Sequence, residues 1–193
     1  METALNLYHV NIKDVKKSKE WFDHQIRNMQ KSMLSPAAML RSGGKTKLVS
    51  TLVPTGLYAY QYMPKGAKTL PYYDMFPLVF PINKNADTFT GLNMHYLDYP
   101  LRFALFRELQ KVGQATKLND MTKMQLHWSV IQGMSKLAPA QACIKQYLFD
   151  HVKSPFMKIH PNDWATAMLL PTHKFAKASA QTVWQESAKK RSW

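Results

Sequence analysis

The chain has 193 residues, of which 46% are hydrophobic and 12% aromatic, a composition that excludes wholesale disorder and suits one domain with its own core. The single cysteine, Cys143, excludes an intrachain disulfide and a cysteine-based zinc cluster, and the chain shows neither an apolar run long enough for a membrane span nor a secretory signal pattern. The net charge of +14, from 26 Lys and Arg against 12 Asp and Glu, predicts a partner with acidic groups, such as a phosphate backbone, an acidic protein surface or an anionic lipid head.

Residues 1–46 predict a basic helical arm that ends in a flexible linker. Apolar side chains recur on one stripe between Asp14 and Met33, as in an amphipathic helix, and include Trp21 and Phe22, which we expect to contact a partner protein. Between Lys13 and Lys47 the chain carries nine bases against three acids. We expect bases of this stretch to bind nucleic-acid phosphates, namely Lys13, Lys16, Lys17, Lys19, Arg41, Lys45 and Lys47.

Residues 47–97 predict a β-rich core. Leu48–Val53 is dense in β-branched and apolar residues, and Gly56–Met63 alternates between two faces as a strand does. Three prolines in Leu70–Ile82 each remove a hydrogen-bond donor, so this segment predicts an extended or edge element in which only Leu78–Phe80 pairs regularly. Alternation resumes at 89–97 and predicts another strand.

Three tyrosines, Tyr58, Tyr60 and Tyr62, lie on one face of the Gly56–Met63 strand. Such a face could stack unpaired bases, and it could equally bind a partner protein or pack inside a half-buried sheet. We take the three rings as candidate partner-binding residues, with the packing alternative open.

Residues 98–193 predict a helical part that packs on the core. A helix begins at Asp98-Tyr99-Pro100 and ends at Gly113, with Arg102 and Arg107 on its wet face.

Other segments follow with weaker signals. Helices are predicted from Asp120, near 139–152 with Cys143 on the apolar side, over 160–169 and from about 175 to 188, and Phe156–Ile159 predicts a short edge strand. The closing bases Lys189, Lys190 and Arg191 are further candidate phosphate contacts.

Together these elements predict an α+β fold: a small curled antiparallel sheet or half-open β-barrel, Src-homology-like, flanked by α-helices from both sides of the chain in one compact domain.

No motif for catalysis, a metal or a cofactor stands out. Gly43-Gly44-Lys45-Thr46 lacks the earlier glycine of a phosphate-binding loop, and the seven histidines form no ligand cluster. Cys143 is predicted to be a small buried hydrophobe. Asp74 and Asp98 are predicted to cap a turn and a helix, although two carboxylates near one sheet keep a metal-dependent nuclease as an alternative.

Several strings resemble a small virion protein family of contractile-tailed phages, often labelled DNA end protector. They are Leu70–Val79, Gly91–Leu97, Trp164–Pro171, Phe175–Ser179 and Val183-Trp184. The strings span most of the chain from Lys47 to Trp184 and include no catalytic motif. One departure is Asp98-Tyr99-Pro100, where the family has a proline directly after the tyrosine-leucine pair.

The resemblance implies a non-enzymatic particle component, assembled in the host cytoplasm, that is found in the virion with other phage proteins. It leaves two readings open: a protein bound at packaged DNA ends through phosphates, or an adaptor in the neck, tail or baseplate held by protein contacts. Neither reading involves a membrane, a cofactor or a small-molecule substrate.

Overall fold

Two antiparallel sheets organise the part of the chain that the computed structural model describes, residues 47–54, 56–113, 120–136 and 138–191. The strands in these ranges are β1 Lys47–Val49, β2 Leu57–Ala59, β3 Tyr73–Asp74, β4 Leu78–Lys84, β5 Thr88–Asn93, β6 Ile144–Leu148, β7 Phe156–Ile159 and β8 Phe175–Ala176.

The larger sheet has six strands in the order β1-β7-β2-β4-β5-β6, and β3 pairs with β8 in a separate two-stranded sheet. Every pairing is antiparallel. Strands β1 and β6 end the order without pairing with each other, so the sheet stays open. The α+β class and the small antiparallel sheet predicted from the sequence are therefore confirmed.

Helices from the C-terminal half cover one face of the sheet. They are α1 Tyr99–Gly113, α2 Asp120–Ser135, α3 Ala138–Gln141, α4 Trp164–Leu169 and α5 Ala180–Arg191, with 3-10 turns at Met94–Tyr96, Phe149–His151 and Pro161–Asp163. Helix α1 packs against α2 and α4, and α3 packs against α5. The predicted helix from Asp98 to Gly113 is confirmed, and the Asp98 carboxylate accepts the Leu101 N–H at 3.1 Å.

The alternation of β2 divides the core into two layers. Leu57 and Ala59 face the helices and join a cluster of aliphatic and aromatic side chains with Phe80, Leu92 and others. Because successive side chains of a strand point to opposite faces, Tyr58 enters a second cluster on the other face. The two-faced character that the sequence predicted for this strand is confirmed.

The second layer is an aromatic cluster centred on Tyr60. Its ring centroid lies 5.1 Å from that of Phe156, 5.6 Å from that of Tyr147 and 5.7 Å from that of Phe89, each in an edge-to-face arrangement. Such pairs add about 0.5–1.5 kcal/mol each beyond the burial of their area. Strands β5, β6 and β7 therefore meet through these rings as well as through backbone pairing.

Strand β6 corrects a prediction. The spacing of apolar residues over 139–152 predicted one helix, but a short helix ends at Gln141 and Ile144–Leu148 is a strand. It pairs with β5 from Thr88 to Leu92. Ile144 and Tyr147, which share one face of a helix, point to opposite faces of the strand and join different core clusters, and pairing with the open side of β5 selects the strand.

Strand β4 differs from the predicted extended or edge element in which only Leu78–Phe80 pairs regularly. It is seven residues long and lies inside the sheet between β2 and β5. Only Leu78 and Val79 pair with β2, so Pro81 lies beyond the last rung on that side and no donor is missed there. The register with β5 shifts between Pro81 and Asn83, where the strand is irregular.

Two smaller differences concern the C-terminal half. Phe156–Ile159 was predicted at an edge, but β7 lies inside the sheet between β1 and β2. The last helix begins at Ala180, since Phe175-Ala176 pairs with Tyr73-Asp74 as β8.

Two glycines provide a test of this packing. A Cβ at Gly91 would clash with Val79 Cγ1 and lie 2.9 Å from Phe80 O, whereas a Cβ at Gly133 in α2 meets nothing within 4 Å. We expect Gly91→Ala to lower the free energy of unfolding by about 1–3 kcal/mol. Gly133→Ala should raise it by about 0.5–1 kcal/mol, because alanine restricts the unfolded chain. Urea unfolding of both variants measures this, and equal effects would contradict the tight β4–β5 contact.

Candidate functional site

A buried polar centre lies under helix α1. It consists of Asp74, Asn93, His95, Arg102 and Thr172, which come from four separate parts of the chain: β3, the end of β5 with the 3-10 turn after it, α1, and the segment before β8. Asp74, Asn93, His95 and Arg102 are all buried. Since buried polar groups are costly unless they are satisfied, their partners decide whether this centre stabilises the fold.

Asp74 accepts hydrogen bonds from three directions. Its Oδ2 accepts from His95 Nδ1 at 2.7 Å and from the Asn93 amide at 3.1 Å, and its Oδ1 accepts the Phe76 N–H at 3.0 Å. On the far side of the imidazole, His95 Nε2 lies 2.9 Å from the Thr172 hydroxyl. A carboxylate, an imidazole and a hydroxyl thus form a continuous line.

Arg102 supplies the positive charge of the centre. Its Nε donates to Leu97 O at 2.8 Å, its Nη1 to Met168 O at 3.2 Å and its Nη2 to His95 O at 3.1 Å. The side chain was predicted on the wet face of its helix, but it is 0% exposed. The three carbonyls and a compensating carboxylate nearby explain how a guanidinium can be buried there.

Aromatic rings close over the guanidinium. Arg102 Cζ lies 4.8 Å from the centroid of the Tyr99 ring and 5.5 Å from that of Trp184, distances at which a cation interacts with a ring face. Trp184 Nε1 also donates to His95 O at 2.7 Å. Helix α5 is therefore held to the same carbonyl as Arg102.

The surroundings fix the charge states of the centre. Burial would raise the pKa of Asp74, but the hydrogen bonds that its carboxylate accepts from His95, Phe76 and Asn93 lower it below its usual value. Burial lowers the pKa of His95 against the attraction of Asp74. Burial also lowers the pKa of Arg102, to about 10, which leaves it charged at neutral pH. The centre therefore holds an anionic Asp74, a neutral His95 with its proton on Nδ1, and a cationic Arg102.

The line from Asp74 to Thr172 has the polarity that activates hydroxyl nucleophiles. Its His95, however, is 0% exposed, so no substrate reaches the imidazole in this structure. We interpret the line as a tether that holds the segment before β8 on the core.

Backbone hydrogen bonds strengthen that tether. The Met75 N–H donates to Lys174 O at 2.8 Å, and the Tyr62 N–H donates to Met75 O at 3.0 Å. Residues 61–63, 73–76 and 171–174 are consequently fixed side by side. All of these residues except the buried Asp74 line an open groove of about 700 Å³ together with Lys153.

The groove wall is apolar and its charges are positive. Its apolar side chains include Met63, Tyr73, Met75 and Phe76, and its lysines are Lys153 and Lys174. The described lining contains no Asp or Glu.

His173 lies in the groove lining next to the polar centre. Burial, with the nearby His95 and Arg102, lowers the pKa of His173 to about 4. Its ring packs against those of Tyr99 and Trp184. The imidazole is therefore neutral at neutral pH and acts as an uncharged part of the wall.

Most of the side chains predicted to contact a partner through the arm lie outside the described residues. They are Lys13, Lys16, Lys17, Lys19, Trp21, Phe22, Arg41 and Lys45. Lys47 is exposed on β1, and Lys189 is exposed on α5, the helix that also contains Lys190 and Arg191.

The three tyrosines proposed as a partner-binding face lie in the aromatic core instead. Tyr58 is 0%, Tyr60 1% and Tyr62 9% exposed. The physical reason is that β6 and β7 add Tyr147 and Phe156 over this face, so the rings pack in the interior and Tyr62 alone of the three belongs to the groove lining.

Neither predicted capping carboxylate is placed to hold a metal. Asp74 makes the turn contact to Phe76 that the sequence predicted, but it is 3% exposed and also engages His95. Asp98 caps α1. Within the described ranges, no three His, Cys, Asp or Glu side chains are grouped so as to bind a metal. No helix there is long and apolar enough to cross a membrane.

Sequence reasoning missed the polar centre because its members are far apart in the chain. One signal was available: Arg102 precedes Leu105 by three residues, so both lie on the same helical face, and Leu105 is buried, although Arg102 was predicted on the wet face.

A family model described as Phage T4 terminal DNA protecting protein matches residues 6–187. No curated protein matches the chain significantly. No solved structure does so either.

Arg102 provides a matched test with Arg107, which is exposed on the same helix. Arg102→Leu removes the donor to the Leu97 and Met168 carbonyls and one of the two donors to His95 O, and it takes the positive charge out of the centre, so we expect a loss of about 3–5 kcal/mol in the free energy of unfolding. Arg107→Leu should change it by less than about 0.5 kcal/mol. Denaturant unfolding of both variants measures the difference. Similar small effects would show that the guanidinium is not required.

His173 predicts a pH dependence. Its folded-state pKa of about 4 lies below the ordinary 6.5, so the unfolded chain binds the proton more readily and stability falls as pH decreases from about 6.5 towards 4. His173→Phe keeps a ring but cannot be protonated. Relative to its effect at pH 8, the substitution should stabilise the protein at pH 5 by on the order of 1–2 kcal/mol, allowing for partial exposure. Thermal or urea unfolding at both pH values checks this. An equal difference in stability between variant and wild type at pH 5 and pH 8 would contradict the assigned role of His173.

Proposed function

Because the chain belongs to the phage T4 terminal DNA protecting protein family, we propose that it is a non-enzymatic virion protein that binds the ends of packaged duplex DNA through their phosphates. The observation that carries the proposal is this family membership, together with a net charge of +14. Positive charge of this size supplies the sequence-independent attraction that phosphate binding requires.

The positive charge is spread along the chain. From Lys47 to the last residue, the sequence contains eighteen Lys and Arg against eight Asp and Glu. The arm before Lys47 adds its own excess. A protein with bases in several regions can neutralise phosphates over an extended stretch of duplex.

Two lysines of the large sheet support a phosphate contact at strand β1. Lys47 on β1 is the register partner of Lys158 on β7, and both are exposed. Like charges directly opposite each other in an antiparallel pair destabilise a sheet, and a bound anion relieves the repulsion. Lys158 therefore joins Lys47 as a candidate phosphate contact.

The proposed phosphate contacts otherwise follow the basic clusters of the sequence. They are Lys13, Lys16, Lys17, Lys19, Arg41 and Lys45 in the arm, and Lys189, Lys190 and Arg191 at the end of α5. The second group also interacts favourably with the negative end of the α5 dipole, so its charges have a structural use even without DNA.

A second candidate function is an adaptor in the neck, tail or baseplate held by protein contacts. It is favoured by exposed apolar side chains that follow the arm in sequence, Leu48 at 59% and Val53 at 47% exposure. The two functions differ in what they require of DNA, which makes DNA binding the deciding measurement.

We expect binding to duplex DNA that weakens steeply with salt and depends little on sequence. Release of counterions from about five phosphates implies a slope near −4 to −5 in log affinity against log salt. Neutralising Lys16, Lys17 and Lys19 together should flatten that slope by about two to three, and Lys47→Gln with Lys158→Gln by about one to two. Filter binding over a salt series measures each slope.

The matched control is Arg107→Gln with Lys136→Gln, which removes two exposed charges outside the proposed contacts. This variant should keep the wild-type slope. Absence of duplex binding at low salt would overturn the proposal and favour the adaptor. A slope unchanged by the triple substitution would remove the arm as the DNA contact.

A further inference from the structure

We infer that the groove between residues 61–63, 73–76 and 171–174 receives the terminal nucleotide of a duplex DNA end. The inference rests on the proposed function and adds to it a site for the end itself. Phosphate contacts made by the arm and by α5 cannot distinguish an end from the interior, because every phosphate along a duplex presents the same charge. Preference for an end needs a surface that recognises something only an end possesses.

A duplex end differs from the interior by one exposed base face. Interior bases are stacked on both sides, whereas the terminal base presents an apolar aromatic surface to water. Proteins bind such surfaces on aromatic and apolar side chains without reading sequence. An end-binding site should therefore combine an apolar wall with positive charge for the adjoining phosphates.

The groove has that apolar wall. Tyr73 and Phe76 are half-buried in its lining, and Met63 is 55% exposed, unusually high for a large hydrophobic side chain. The volume of about 700 Å³ lies within the range of sites that enclose small organic groups. A base on this wall would cover apolar surface that is otherwise in water.

The groove also has the positive charge that the adjoining phosphates require. Lys153 and Lys174 enter its lining from different segments, and both are exposed. Their backbones are fixed, because the Lys153 N–H donates to Gln61 O at 2.8 Å and Lys174 O accepts the Met75 N–H at 2.8 Å. Two ammonium groups on rigid supports, with no carboxylate in the described lining, complement a terminal phosphate.

Lys177, in the same region, has a structural role and differs in this respect from Lys153. Its Nζ donates to Ala67 O at 2.7 Å, to Lys68 O at 2.9 Å and to Leu70 O at 3.0 Å. All three donors of that ammonium are used inside the protein. Lys153, by contrast, makes one such bond, to Asp150 O at 3.1 Å, and it keeps donors for a ligand.

The test compares two duplexes of the same sequence, one with open ends and one with both ends closed by hairpin loops. Wild-type protein should bind the open duplex about tenfold more tightly, since stacking of one base corresponds to roughly 5- to 150-fold in affinity. Lys153→Gln with Lys174→Gln should remove most of that preference while binding to the closed duplex persists. The control, Arg107→Gln with Lys136→Gln, removes equal charge outside the groove and should keep the preference. Thermal unfolding of each variant confirms its fold.

A second measurement reports on the wall directly. The fluorescence of 2-aminopurine at the terminal position should change on binding, whereas the same base in the middle of the duplex should not. Tyr73→Leu should diminish the terminal change, because it removes the ring.

Each other outcome counts against a defined claim. If wild-type protein binds neither duplex, the proposed function fails and the inference with it. If it binds both equally, DNA binding stands and the end site is rejected. If the groove variant keeps the preference for open ends, or the control variant loses it to the same extent, the end is recognised elsewhere. The groove would then bind another ligand, such as a protein segment.

Discussion

The structure depends on placing one anion and one cation in the same buried centre. Asp74 and Arg102 are each almost completely buried, and either alone would cost several kcal/mol, because water no longer solvates it. Together they are stabilised by donors and acceptors from β3, β5, α1, α4 and the segment before β8. The neutral His95 contacts both: its ring bonds Asp74 on one side and Thr172 on the other, and its carbonyl accepts from Arg102. Such a centre favours one way of packing the core, because a wrongly packed chain leaves its buried charges without partners.

The groove is a consequence of that centre. Its walls are two segments far apart in sequence, 73–76 and 171–174, that meet because Asp74 and Thr172 are held on opposite sides of His95 and because β3 pairs with β8. A left-handed residue follows that pair, Lys177 with φ of 67°, and its ammonium fixes the turn at 66–70. The groove is therefore built on rigid supports, as binding sites require for specificity.

The sequence predicted the features that local patterns determine. The alternation of Gly56–Met63 assigned opposite faces correctly, and the helix from Asp98 to Gly113 follows its capping and proline signals. Prediction from the sequence failed where contacts with residues far away in the chain decide the local structure. Ile144–Leu148 becomes a strand because β5 offers an open side, and Arg102 is buried because the carbonyl of the distant Met168, with those of the nearby His95 and Leu97, accepts its hydrogen bonds. The groove could not be predicted at all, since its lysines acquire a common location only in the folded chain.

The order of strands has a consequence for synthesis on the ribosome. Residues 57–93 contain β2, β4 and β5, which pair with one another, but β1 pairs only with β7, more than a hundred residues later. At about 5–20 residues per second, the nascent chain exposes the unfinished sheet for roughly 3–13 seconds before β7 is translated. Tyr58, Tyr60 and Phe89 lack the covering rings of Tyr147 and Phe156 during that interval. Vectorial folding therefore leaves β1, the first of the described strands to be translated, without its partner until most of the polypeptide has been made.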